Sequence, residues 1–185
     1  MRLGIDLDGV VADFNTGWIS RYNEDFSADV AFDAVQSWHG IPSLTHFRHM
    51  GEFWHWARDH GGASLFRHLD TYPDAVDTLR RLSRDHAVVI ITKKPRWAVH
   101  DTFEWIAEHR IPTREVHITG EKWPGDCDVY LDDAPHVLDD LVLHRPEAVV
   151  CRFVRPWNDP VPGAVDVDAW ARFEELVESV ATGGP

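Results

Sequence analysis

Gly4-Ile5-Asp6-Leu7-Asp8-Gly9-Val10-Val11-Ala12-Asp13-Phe14 sets two carboxylates, two residues apart, at the end of an apolar run. Leu3, Ile5 and Leu7 alternate as in a short buried strand, and Gly9 permits a tight turn out of it. Asp6 and Asp8 then leave from the strand's carboxyl end, where open α/β sheets hold ligands. Two such carboxylates can divide labour: one attacks as a nucleophile and binds a cation, and the other moves a proton. Asp and Gly also suit an ordinary turn, so the rest of the chain has to decide between the two readings.

Outward from this stretch, residues 11–71 show helical periodicity and no strand. Val11, Phe14, Trp18 and Tyr22 recur at helical spacing, and an aromatic-rich stretch over 47–66 includes Phe53, Trp54 and Trp56. Strand and helix then alternate. Pro73 sits where a first helical turn would start, with Val76, Leu79 and Leu82 on one face, and residues 86–91 form a β-branched run suited to a strand buried on both sides. A helix over 95–109 carries the stripe Val99, Phe103 and Ile106, and short strands follow at 116–118 and 129–131. Val137, Leu138, Leu141 and Val142 make a helix face, residues 148–154 a last strand, and Trp170, Phe173, Leu176, Val177 and Val180 line a final helix. The alternation predicts an α/β fold with a three-layer, Rossmann-like, mostly parallel sheet, its core in residues 1–12 and 72–185 and a helical insertion in 13–71.

A chain of 185 residues, 44% hydrophobic, can bury one full core with such an insertion. Residues 182–185 read as a frayed tail. No apolar stretch approaches a membrane span and the first residues lack the h-region of a signal peptide, so a cytoplasmic protein without a membrane partner is expected. Cys127 and Cys151 lack CxxC spacing and read as buried reduced thiols rather than zinc ligands. The net charge of -13 argues against a nucleic-acid polymer as partner. An acidic protein can still bind a small anion through a few local cations, and of 18 basic residues only Lys93, Lys94 and Lys122 are lysine. Codon bias toward Arg accounts for that rarity, and a compact charge on a phosphate or carboxylate accounts for the lysines that survive it. His39, His46, His49, His55 and His60 lack HExxH spacing and read as solvated side chains, not a zinc site.

In a parallel sheet the carboxyl ends of several strands converge. The strand over 86–91 runs into Thr92-Lys93-Lys94-Pro95, which offers a hydroxyl, backbone N–H groups and a helix N-terminus to a phosphate; Thr92 can equally cap that helix. The strand at 129–131 ends in Asp132-Asp133, where acids can cap the next helix. Two more carboxylates opposite Asp6 and Asp8 would repel without a cation between them, and Mg2+ fits such an all-oxygen environment. Lys122 could neutralise the nucleophile and a transferred phosphoryl group.

These residues, in this order, resemble the haloacid dehalogenase (HAD) superfamily of aspartate-nucleophile phosphohydrolases. Asp6-Leu7-Asp8-Gly9-Val10 is similar to the first family motif, Ile90-Ile91-Thr92 to the second, Lys122 to the third and Leu131-Asp132-Asp133 to the fourth, with the insertion as the helical cap. Residues 8–14, Leu65-Phe66 ahead of Tyr72-Pro73-Asp74-Ala75, and the block 122–133 are similar to the C-type 5'-nucleotidases, which include deoxyribonucleotidases. The resemblance implies Asp6 as nucleophile, Asp8 as acid and base, and Mg2+ on Asp6, the Asp8 carbonyl and Asp133 with Asp132 behind. It also implies Thr92 and Lys122 on the phosphoryl oxygens and a nucleoside monophosphate as the small-molecule substrate. Phe14 then packs on the nucleobase, although it equally suits a core; Trp54 and Trp56 can join it, although an aromatic stripe at helical spacing is more often core. Lys93 stands where those nucleotidases commonly carry a small hydroxyl residue, which bears on the substrate more than on the chemistry. Lys93 is a substrate-binding candidate, Lys94 matters less if it only borders the site, and with a non-nucleotide substrate both would read its extra anionic groups. A sugar phosphate or biosynthetic intermediate as substrate, or a noncatalytic phosphometabolite-binding protein, are the alternatives; the sequence specifies no oligomeric state.

Overall fold

β1 (Arg2–Ile5) lies in the middle of a six-stranded sheet, and its Leu3 and Ile5 side chains are fully buried. The computed structural model describes residues 1–183; Gly184 and Pro185 of the expected tail lie outside them. After β1 come α1 (Phe14–Phe26), α2 (Ile41–Leu44), α3 (Met50–Trp56), α4 (Ala75–Leu82), β2 (Ala87–Thr92), α5 (Val99–Glu108) and β3 (Glu115–Ile118). The chain continues through β4 (Val129–Asp132), α6 (Pro135–His144), β5 (Val149–Phe153), β6 (Val165–Val167) and α7 (Trp170–Ala181), with 3-10 turns at Leu65–His68, Arg96–Ala98 and Trp123–Gly125.

The strands are all parallel, in the order β3-β2-β1-β4-β5-β6. Successive side chains of a strand point to opposite faces, and both faces are covered. Ile90, Leu131 and Phe153 join the cluster that contains Leu79 of α4, Trp105 of α5 and Phe173 of α7, while Val89, Ile91, Tyr130 and Val150 pack with Val137, Leu138 and Leu141 of α6. That makes the expected three layers. The chain winds from β1 through β2 to β3 on one side and then crosses to β4 on the other, so the order reverses beside β1, where sheets of this kind bind ligands. Ile5 pairs with both Ile90 and Leu131, which puts the next residues, Asp6, Ile91 and Asp132, at one level.

Between β1 and α4 the described residues form α1, α2, α3 and a 3-10 turn but no strand. The two ends of this segment are stitched together: Asp13 N–H donates to the Asp70 carbonyl at 2.9 Å and Tyr72 N–H to the Val11 carbonyl at 2.8 Å. Asp13 starts α1 by accepting the Thr16 N–H at 3.1 Å, satisfying one of the helix's orphan donors. The segment holds itself together with aromatic rings, Trp18 against Phe53 at 5.9 Å and Phe47 against Trp56 at 5.7 Å.

Three expectations need correction. The strand over 148–154 is not the last: β6 follows, three residues long with only Val167 buried, too short and too exposed to leave a period. Phe103 does not line its helix; it is exposed, and Thr102, Trp105 and Ile106 face inward instead. The helix expected at Pro73 begins at Ala75, because Asp74 takes a left-handed conformation (φ 64°) that no helical turn can include.

Candidate active site

Leu7 builds the loop that carries the two carboxylates. Its carbonyl accepts from the N–H groups of Val10, Val11 and Ala12 at 3.2, 2.8 and 2.8 Å, folding the chain back directly after β1. Gly9 is left-handed (φ 78°), and a Cβ there would lie 2.0 Å from Asp133 Oδ2, so no other residue fits between the loop and the end of β4.

Asp6, Thr92, Lys122, Asp132 and Asp133 are all buried together at the strand ends. Lys122 Nζ lies 2.8 Å from Asp6 Oδ1 and 2.6 Å from Asp132 Oδ2. The Asp6 approach is at ion-pair distance but off the hydrogen-bonding direction, so Asp6 Oδ1 has no donor; nor do the buried Asp133 Oδ1 and Thr92 Oγ1. Burial alone would lower the Lys122 pKa, but Asp132 and Asp6 outweigh it and the ammonium is held charged. Burial pushes the Asp132 carboxyl up to about 6 against the opposing pull of Lys122, and burial with Asp132 and Asp6 nearby raises Asp133 well above the carboxylate range.

One ammonium therefore faces three buried carboxylates, Asp6, Asp132 and Asp133, whose oxygens lie within 4.8 Å of one another. Buried polar atoms are normally satisfied, and two of the three groups leave an oxygen without a donor. The donor set is all oxygen, which suits Mg2+ and not a soft metal. The residues present thus fit the ion. Asp132 also accepts the Ala134 N–H at 3.0 Å, just ahead of α6, and neither it nor Thr92 caps a helix: α6 and the helical turns after Thr92 start without a side-chain bond.

Asp8 is held differently. Lys94 Nζ lies 2.5 Å from both of its carboxylate oxygens and 4.0 Å from the centre of the Phe66 ring. Burial raises the Asp8 pKa, with Lys94 opposing. Lys94 thus does more than border the site; Lys93, its neighbour, is exposed. Phe66 stacks on Phe14 (5.8 Å, 23°) and on Trp54 (6.0 Å, 18°), so the two aromatic candidates meet beside Asp8 in one half-buried cluster that also takes in Trp97.

Sequence reasoning missed the segment after β5. Trp157 Nε1 donates to Asp133 Oδ2 at 2.7 Å, Asn158 Nδ2 to the Asp133 carbonyl at 2.8 Å, and Arg155 Nε to the Gly9 carbonyl at 2.8 Å, its guanidinium lying over the rings of Tyr72 and Phe153. Arg-Pro-Trp-Asn carries no periodicity and no motif; only the fold brings it to the carboxylates. His60 is also not solvated as expected: it is buried, its Nδ1 accepts from Arg21 Nε at 3.2 Å, and burial lowers its pKa. A surface hollow of about 380 Å3 lies on the helical segment among His46, Phe47, His49, His55 and Trp56 and shares no residue with the strand ends.

A parallel sheet with Asp6 and Asp8 at the tip of β1 and Lys122, Asp132 and Asp133 opposite defines a HAD-like hydrolase. Nearly all of the chain superposes on solved structures of that fold: a haloacid dehalogenase-like hydrolase from Xanthomonas campestris (TM-score 0.62, 13% identity, 99% of this chain and 96% of the other), and a provisionally assigned HAD-hydrolase from Bacillus subtilis solved with magnesium (TM-score 0.64, 10% identity, 95% and 97%). More narrowly, the family described as "5' nucleotidase, deoxy (Pyrimidine), cytosolic type C protein" matches residues 1–182, and the chain belongs to that family, a phosphatase of the 5'-nucleotidase type. Among its relatives are a Chlorobaculum tepidum protein provisionally named 5'(3')-deoxyribonucleotidase, 28% identical over 75% of this chain and 72% of the relative, and the mitochondrial 5'(3')-deoxyribonucleotidase of Mus musculus, 23% identical over 74% and 66%.

Proposed function

We propose that this enzyme is a Mg2+-dependent 5'-nucleotidase that hydrolyses nucleoside monophosphates, deoxyribonucleotides included, through a phosphorylated Asp6. The observation that carries the reading is the convergence at the strand ends: Asp6 Oδ1, Thr92 Oγ1 and Asp133 Oδ1 are buried without a donor around a single charged lysine. A phosphoryl group and a divalent ion would satisfy all three.

Asp6 attacks phosphorus in line, the bond to the ester oxygen breaks, and Asp8 in its protonated form gives that oxygen its proton. Asp8, now a carboxylate, takes a proton from water as the water attacks phosphorus; the bond to Asp6 breaks, inorganic phosphate leaves and Asp6 is regenerated. Thr92 and Lys122 hold the phosphoryl oxygens, and this fixed positive charge is the larger part of what a phosphoryl-transfer site supplies. Asp6, the Asp8 carbonyl and Asp133 would hold Mg2+, with Asp132 behind them on Lys122; once bound, the ion offsets the charge of carboxylates and phosphate.

Phe14, Phe66 and Trp54 form the face on which a base would stack, and residues 13–71 act as a cap on the core of 1–12 and 72–185. Lys93, exposed on the loop after β2, is placed to meet a further anionic group of the substrate. A cytoplasmic site of action accords with two free buried thiols, which burial pushes up to about 11 at Cys127 and about 12 at Cys151. Purified enzyme with Mg2+ should turn over ribo- or deoxyribonucleoside monophosphates faster than sugar phosphates. A sugar phosphate that outperforms every nucleotide would replace the substrate assignment and leave the chemistry standing.

A further inference from the structure

We infer that Lys94 is the positioning residue for Asp8, holding its carboxylate from behind so that proton transfer to the leaving group is aimed. The inference rests on the acid and base role given to Asp8 above and assigns how that role is supported.

Lys94 lies on the buried side of Asp8. The Asp8 side chain is 25% exposed and that of Lys94 only 2%, so a ligand entering the site meets Asp8 first. The ammonium contacts both carboxylate oxygens at 2.5 Å, which fixes rotation of the carboxylate as a single hydrogen bond would not. Leu7, Ala12, Leu69, Thr102 and Trp105 complete the wall, and the space left among them is about 10 Å3. That is at the lower limit for one water, in a largely apolar setting, so solvent does not take the place of the ammonium. With Phe66 4.0 Å from the ammonium, a compact point charge suits the place better than the planar fork of an Arg. This accounts for a lysine at position 94 in a chain that otherwise uses arginine almost throughout.

The test is the dependence of kcat/KM on leaving-group acidity, measured with Mg2+ over a series of substituted phenyl phosphates for wild type, Asp8→Asn and Lys94→Met. A poor leaving group needs the proton and a good one does not. Lys94→Met should steepen the dependence in the same sense as Asp8→Asn, losing about tenfold or more on phenyl phosphate and much less on p-nitrophenyl phosphate, with KM nearly unchanged. A merely structural lysine would instead lower all substrates in parallel, and that result, or an unaltered slope, overturns the inference. Should Lys94→Met not fold, Lys94→Leu, which also removes the donor, carries the same comparison and must still steepen the slope. If Asp8→Asn itself leaves the slope of the wild type intact, the role of Asp8 fails, and that failure is distinct from one at Lys94.

Discussion

At the scale of single residues, the account turns on which buried groups can be removed without collapsing their neighbours. Asp6→Asn keeps the shape of the side chain and leaves Lys122 its contact with Asp132, so the fold should survive while phosphate-ester turnover falls by several orders of magnitude; circular dichroism beside steady-state kinetics checks both. Lys122→Met is a less clean probe. Breaking a buried ion pair by deleting one partner costs about 3–5 kcal/mol, so stability and activity should fall together, and a thermal melt will show it. Gly9→Ala should also lose both, because its Cβ would lie 2.0 Å from Asp133 Oδ2 in a left-handed backbone. Of the residues at the centre, Asp6, Asp8, Thr92, Lys122, Asp132 and Asp133 were readable in the sequence because each sits at a predicted strand end or between two strands. Lys94 was readable only as a lysine near the site. Which of two adjacent lysines turns inward depends on the path of the chain after Thr92, and no local pattern encodes that.

At the scale of elements, strands and helices long enough to show a period were legible from the sequence, while β6, with three residues and one buried side chain, was not. The segment 155–158 was illegible for a different reason: Trp157 and Asn158 act across the fold on Asp133, 24 and 25 residues away in sequence. Trp157 occupies Asp133 Oδ2, while Oδ1 has no donor and is the oxygen the proposed ion would take. Trp157→Phe should therefore weaken Mg2+ binding, read by calorimetric titration, by about tenfold with little change in melting temperature, since partners of metal ligands typically contribute 10–100-fold in affinity. The aromatic face makes a separate prediction. Stacking a base is worth about 1–3 kcal/mol, so Phe14→Ala should lower kcat/KM for nucleoside monophosphates about ten- to a hundredfold and spare p-nitrophenyl phosphate. Proportional losses on both, with a falling melting temperature, would mark Phe14 as packing alone.

For the whole molecule, the buried carboxylates couple metal, pH and stability. The folded pKa of Asp132 is raised to about 6 by burial, and burial with Asp132 and Asp6 nearby also raises that of Asp133. A raised carboxyl contributes stability while it stays protonated, and that contribution is lost as pH rises from the unfolded pKa through the folded one. At neutral pH the metal-free protein bears the cost of an ionised Asp132, and a divalent ion bound by the carboxylates would offset it. Mg2+ should thus raise the melting temperature more at about pH 7.5 than at about pH 5.5, a comparison in which the titration of the 12 histidines largely cancels. An equal shift at both pH values would place the ion elsewhere.

The central claim is that Asp6 is the nucleophile of a nucleotide phosphatase. Its most direct test is kcat/KM on a panel of ribo- and deoxyribonucleoside monophosphates with Mg2+, for wild type and Asp6→Asn in parallel. The account predicts turnover by the wild type and a loss of several orders of magnitude in the folded variant. Near-normal turnover by Asp6→Asn would contradict it.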